Sequence, residues 1–182
     1  MSTFPAELTG TWNIDTVHST VGFAVKHAMV STTRGRFESF TGSATIDAEN
    51  PENSTATVEI DAASVNTNNE RRDGHLKSPD FWDAETNPKI TFQSTSATLK
   101  GDDLVMVGDL TIKGISKPVE IVWTFNGVAK DPFGGGWKAG FEGVATVDRA
   151  DWDLTWNAAV ETGGFLISDK VKLVLEIEAD KA

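Results

Sequence analysis

The chain of 182 residues contains no cysteine. Disulfides, thiolate metal sites and a cysteine nucleophile are thereby excluded. It also lacks a basic surplus: Asp and Glu number 27 against 16 Lys and Arg, for a formal net charge of −11. Such a balance repels phosphate backbones and anionic lipid surfaces, so nucleic acid is not an expected partner. No apolar run reaches the ~18 residues that a membrane-spanning helix takes. The opening residues, MSTFPAELTGTW, have neither the basic nor the apolar segment of a secretory leader, and the first cation is Lys26. Cytoplasmic residence is therefore expected. No linker, repeat or low-complexity tract breaks the chain, and its 39% hydrophobic and 24% charged residues suit a globular protein. One domain over residues 1–182 is expected.

What the chain does have is alternation with a period of two. Val21, Phe23 and Val25 share a face, as do Ala56, Val58 and Ile60. Ile90 and Phe92 follow Pro88; Leu104, Met106, Leu110 and Ile112 come next, then Val119, Ile121, Trp123 and Phe125. Phe141, Ala145 and Val147, and later Val171, Leu173, Leu175 and Ile177, continue the pattern. With residues 36–47 and a first strand near Trp12 and Ile14, this reads as about nine strands. The loops NPENS, KGDD, KGISKP and DPFGGG carry hairpin-turn chemistry. One apolar face per strand fits a sandwich or a closed up-and-down barrel, and nearest-neighbour hairpins favour the barrel. Gly42, Ala44, Ala56, Ala62 and Gly108 interrupt the large residues. They leave two outcomes open, a tapered packed interior or room for one ligand.

One stretch breaks the alternation: RRDGHLKSPDFWD, residues 71–83. Thr67 with Glu70 reads as a capping box that starts a short helix near Asn68. Ser78 and Pro79 read as a second start. Two helical pieces between strands suit a lid across one barrel end, anchored by Leu76, Phe81 and Trp82. Phe81 and Trp82 are expected to pack only partially there, whereas Trp123 belongs to a strand face. Arg72, His75 and Lys77 are locally cationic and suit an anionic or polar head group at a mouth, and His27 shares the Val25 face. His75 beside Asp73 has the composition of a general base with an orienting carboxylate. No serine stands in a nucleophile motif, so no catalytic residue is expected. His18 reads as bonded to a turn, and the histidines show no metal-binding spacing, so no metal is expected.

DTVHSTVGFAVKH (15–27), GRFESFTG (35–42), RRDGHLKSPDFWD, PKITFQST (88–95) and GDLTIKGISKPVE (108–120) occur in that order. Together with VDRADWDL (147–154) and ISDKVKLVLEIEA (167–179), they resemble the YceI-like family. The resemblance implies an all-β fold: a lipocalin-like antiparallel β-barrel of about eight strands, hollow and apolar inside, with a short helical lid segment. It implies carriage or storage of an isoprenoid lipid, an isoprenoid quinone or a polyprenyl chain, rather than catalysis, and no other cofactor. An enzyme acting on such a lipid or on a small apolar substrate is the alternative. Many members of the family are exported, and this chain departs from them at its opening residues. In a hollow barrel the cavity residues expected are Phe23, Val25, Phe40, Val58, Ile60, Leu76, Phe81, Trp82, Ile90, Phe92, Leu110, Ile112, Ile121 and Trp123. The head-group residues expected are His27, Arg72, His75 and Lys77. Exposed strand edges on such barrels also make a homodimer possible.

Overall fold

A computed structural model describes residues 4–161 and 163–182. Eleven strand segments form one antiparallel sheet: β1 (Gly10–Ile14), β2 (Thr20–His27), β3 (Ser31–Phe37), β4 (Phe40–Ile46), β5 (Thr55–Asp61), β6 (Val65–Asn66), β7 (Lys89–Lys100), β8 (Asp103–Ile112), β9 (Ile115–Lys130), β10 (Trp137–Asp148) and β11 (Ile167–Lys181). The order is β1-β4-β5-β7-β8-β9-β10-β11, and β1 pairs back onto β11 to close the ring. β2, β3 and β6 continue the walls of β1, β4 and β5. β11 pairs with β1 through Ala179–Lys181 and with β2 through Ile167–Glu176. The result is a closed eight-stranded antiparallel barrel in which three strands are kinked.

The kinks are held by hydrogen bonds from distant segments. Between β1 and β2, residues 15–19 bulge out, and the Ser19 hydroxyl takes over the ladder by exchanging hydrogen bonds with the backbone of Glu178. Lys138 fastens the outside of that bulge, 2.6 Å from Asp180 and 3.6 Å from Asp15. Residues 36–47 are not one strand, as the alternation suggested; they break at Glu38–Ser39. The Ser39 amide is bonded to the Ser64 hydroxyl there, and the Asp61 amide to the Ser39 carbonyl. β3 escaped the sequence reading because STTRGRF shows no apolar period.

The barrel has two unlike ends. One is plugged by the N-terminal turn Ala6–Leu8 and by Trp12, whose indole N–H donates to the Leu8 carbonyl. Leu8 and Trp12 are almost wholly buried, and Phe125 packs edge-on against Phe4 nearby. The opposite end receives both long connections, residues 67–88 and 149–166. The first holds α1 (Glu70–Lys77). Its N-cap is Asn69, whose side chain accepts from the Arg72 amide, rather than Thr67. Ser78 is the C-cap, and its hydroxyl donates to the His75 carbonyl. No second helix starts at Pro79. The chain folds back as a turn in which the Trp82 amide donates to the Leu76 carbonyl.

Candidate functional site

The interior holds two apolar chambers stacked along the barrel. The chamber at the plugged end has a volume of about 160 Å³ and is walled by Val58, Phe92, Ile121 and Trp123 together with Trp12, Ile14, Met106 and Leu175. The chamber under the long connections has a volume of about 310 Å³. Its wall includes Phe23, Val25, Ile60, Leu76, Phe81, Trp82, Ile90 and Ile112. Val21, Leu110 and Leu173 belong to both linings. An apolar cavity of about 150 Å³ already takes a benzene ring in a protein core. The interior is therefore hollow on the scale of a ligand.

Of the expected cavity residues, all but Phe40 line one chamber or the other. Phe40 is buried, but it packs into the wall where β3 turns into β4. His27, Arg72 and His75 line the larger chamber. Lys77 does not; it is exposed in the last turn of α1. His27, Arg72 and Lys26 are all exposed, so this chamber reaches the surface beside them.

The glycines act differently from the expected spacing role. A Cβ on Gly108 would sit 2.3 Å from the Phe92 ring, one on Gly143 2.6 Å from Trp123, and one on Gly35 2.4 Å from Phe23. Each glycine lets an aromatic ring from the neighbouring strand lie flat against the wall. The room inside comes from rings held aside, not from glycine volume alone. Ala44 and Ala56, by contrast, do line the smaller chamber.

The mouth segment is built differently from its sequence reading. His75 Nε2 is 2.8 Å from Asp80 and does not face Asp73. Asp73 instead accepts from the amide and hydroxyl of Thr67. Arg72 donates from Nε and Nη2 to Thr67. The His75 ring stands edge-on to Trp156 at 4.6 Å and to Phe81 at 5.1 Å. Trp82 is 9% exposed and sits between Phe37 and Phe23, with centroids at 5.3 and 6.0 Å. The partial packing expected of Phe81 and Trp82 is thus corrected: both are buried in the core while also lining the chamber.

The sequence reading missed the second connection. Residues 149–152 form a short turn capped by Asp148, and Trp152, Leu154, Trp156 and Leu166 line the chamber, with Trp156 packed against His75 and Phe81. Arg149 is only 5% exposed and holds this strap. It donates to the carbonyls of Leu154, Trp156 and Ser168 at 2.6–3.0 Å. Burial lowers its pKa, with Asp169 and Asp148 opposing that shift. Two tryptophans and an arginine in ten residues were the available signal.

Outside the barrel, His18 Nδ1 lies 2.7 Å from Asp15, so the turn bond expected of His18 is present. Asp15, His18 and Glu178 could together offer ligand atoms to a metal ion. The Lys138 ammonium lies within 4.0 Å of both carboxylates, so the cluster reads as an ion-pair network. No helix among the described residues is long and apolar enough to cross a membrane.

Residues 12–179 match the family described as YceI-like domain. A UPF0312 protein of Ectopseudomonas mendocina is 40% identical over 162 residues, covering 88% of this chain and 81% of its own. The crystal structure of a Campylobacter jejuni YceI protein shares 32% identity with a TM-score of 0.74, over 93% of this chain and 96% of its own. A polyisoprenoid-binding domain from Saccharophagus degradans, implicated in plant cell wall breakdown, has a TM-score of 0.65 at 16% identity, covering 94% and 98%. That last likeness is one of fold. The family match and the 40% identical relative each span most of the barrel, and the chain belongs to the YceI-like family.

Proposed function

We propose that the protein binds an isoprenoid lipid, an isoprenoid quinone or polyprenyl chain, inside the barrel and carries or stores it. The observation that carries this reading is the pair of stacked apolar chambers, which share a boundary and whose larger member reaches the surface. A flexible chain of methyl-branched units suits such a bent, apolar path better than a rigid ring system. Burial of its surface stabilises by about 25 cal/mol per Å². The polyisoprenoid-binding domain that shares the fold supports the same ligand class. The chain's tail would run toward Trp12 and its head would lie among His27, Arg72 and His75.

Binding rather than turnover is favoured by the mouth chemistry. His75 is bonded to Asp80 and flanked by Phe81 and Trp156, an arrangement that fixes the ring, and the nearby Ser78 hydroxyl donates to the His75 carbonyl rather than to the imidazole. Native mass spectrometry of gently purified protein should show a lipid adduct, and added isoprenoid quinone should bind saturably. Absence of both an adduct and saturable binding would overturn the proposal.

A further inference from the structure

We infer that the tip of the β2–β3 hairpin and the strap beside it dock on a phospholipid bilayer that carries anionic lipid, with the mouth of the larger chamber toward the membrane. The inference concerns the outer surface and goes beyond what the cavity holds. Six large apolar side chains are exposed among the described residues, and three of them, Met29, Val30 and Phe165, belong to this one surface. The Ala28 amide donates to the Leu166 carbonyl at 2.7 Å, and Met29 Sδ lies 2.7 Å from the place that a Cβ on Gly164 would take. Hairpin and strap therefore lie side by side. His27 and Leu166, next in sequence to Ala28 and Phe165, line the larger chamber, so the apolar surface borders its mouth. Exposed apolar clusters of this kind mark contact with a protein or a membrane.

The hairpin tip is built against its local preference. The Val30 amide donates to the His27 carbonyl, and the two residues between them, Ala28 and Met29, have φ of 49° and 61°. Glycine and asparagine take that left-handed region far more readily than a long side chain. Met29 is 74% exposed, so burial in the core does not account for an apolar residue there. The flanking charge is positive. Phe23 and Val25 face the chamber, so Ala24 and its register partners Arg34 and Lys172 face outward, with Lys26 at the rim. All three cations are exposed, and none has an ion-pair partner among the described residues. Of the strap's carboxylates, Asp169 is 3.8 Å from Arg149, while Glu161 is exposed and opposes the cations. The net charge of −11 repels an anionic surface from afar. At contact, charges beyond a screening length of ~8 Å matter little, and the local cations decide. Three side chains on two turn tips fall well short of the ~800 Å² per partner of a standard protein interface. Insertion into the headgroup boundary needs no matching surface, only apolar tips and cations beside them to meet phosphates.

The test is co-sedimentation of the intact protein with vesicles free of isoprenoid lipid, made of phosphatidylcholine alone or mixed equally with phosphatidylglycerol. The mixed vesicles should bind more protein, and added salt should reduce the difference. Met29→Asn should leave Tm unchanged or higher, because asparagine suits the positive φ, yet weaken vesicle binding about fivefold or more. Val30→Ser and Phe165→Ser should weaken it likewise. Arg34→Gln and Lys172→Gln should lower the preference for the anionic vesicles. Phe133→Ser, at an equally exposed position in the β9–β10 hairpin of the plugged end, should bind as the unaltered protein does. Isoprenoid quinone added without vesicles should bind all these variants, so that failure of the cavity reading shows up separately. No binding to either vesicle, equal binding to both, or full binding by Met29→Asn would overturn the inference. A dimer that forms without vesicles and dissociates in Val30→Ser would overturn it in favour of an interface between copies of the chain.

Discussion

Trp82 carries more of the fold than its place in a mouth segment suggests. Its ring is wedged between Phe23 and Phe37 and also faces the larger chamber. Trp82→Ala should therefore destabilise the protein by about 3 kcal/mol, the low end for a large aromatic removed from a core. Trp123 lies flat on Gly143 and lines the smaller chamber, so the space lost on truncation adjoins one already present. Trp123→Ala should cost less than Trp82→Ala in urea unfolding, and the reverse order would contradict this packing. At the kink outside the barrel, the bond to Asp15 raises the His18 pKa above its ordinary 6.5. The same bond holds Asp15 below 3.8. The His18 contribution to stability is full below the unfolded value and is lost as pH rises through the raised folded value. The Asp15 contribution is present above 3.8 and is lost as pH falls through its depressed value. His18→Gln should thus lower Tm at about pH 6 and matter progressively less toward about pH 9. A constant Tm difference across that range would show that the pair does not titrate as described.

At the scale of elements, the glycine–ring contacts couple strand geometry to cavity shape. Phe92 of β7 lies across Gly108 of β8, and Trp123 of β9 across Gly143 of β10. Any side chain at Gly143 displaces the Trp123 ring from the wall, and the chamber is where it can go. Gly143→Val should cost about 1–3 kcal/mol by overpacking and should also reduce lipid binding. Melting and quinone titration on the same variant separate the two effects. Loss of stability with unchanged binding would mean that the ring moves elsewhere. The strap formed by residues 149–166 depends in the same way on Arg149. Its guanidinium gathers carbonyls from Leu154 and Trp156 on one side and Ser168 on the other. Arg149→Met should leave those carbonyls unpaired and loosen the strap, read as faster amide exchange over residues 152–168 than over β7 and β8.

For the whole molecule, a hollow core leaves unmade the contacts that a bound lipid would supply. Voids forfeit dispersion contacts that a packed interior would have. Saturating ligand at about 100 times Kd should stabilise the barrel by about 2.7 kcal/mol. Thermal unfolding with and without an isoprenoid quinone measures this directly. No shift in Tm at concentrations that saturate binding would mean that the lipid does not prefer the folded barrel to the unfolded chain. β1 pairs onto β11 to close the ring, and the larger chamber lies under the end that carries the long connections.

Alternation by itself indicated the all-β class and which side chains of most strands face inward, because a period of two assigns each side chain to a face wherever the strand lies. Turn residues determined most hairpins for a similarly local reason. The motifs in order were enough to identify the family. Three things were decided only by tertiary structure. Where strands kink, the cause is a partner from a distant segment, as with Ser19 on Glu178 and Ser39 on Ser64. Whether a glycine makes room or receives a ring depends on the neighbouring strand's register, as Gly108 under Phe92 shows. Which connection covers the mouth depends on where both long loops meet in space. Arg149, more than twenty positions beyond the last residue expected in the cavity, belongs to the same lining as His75 and Trp82 because the fold brings both connections over one chamber.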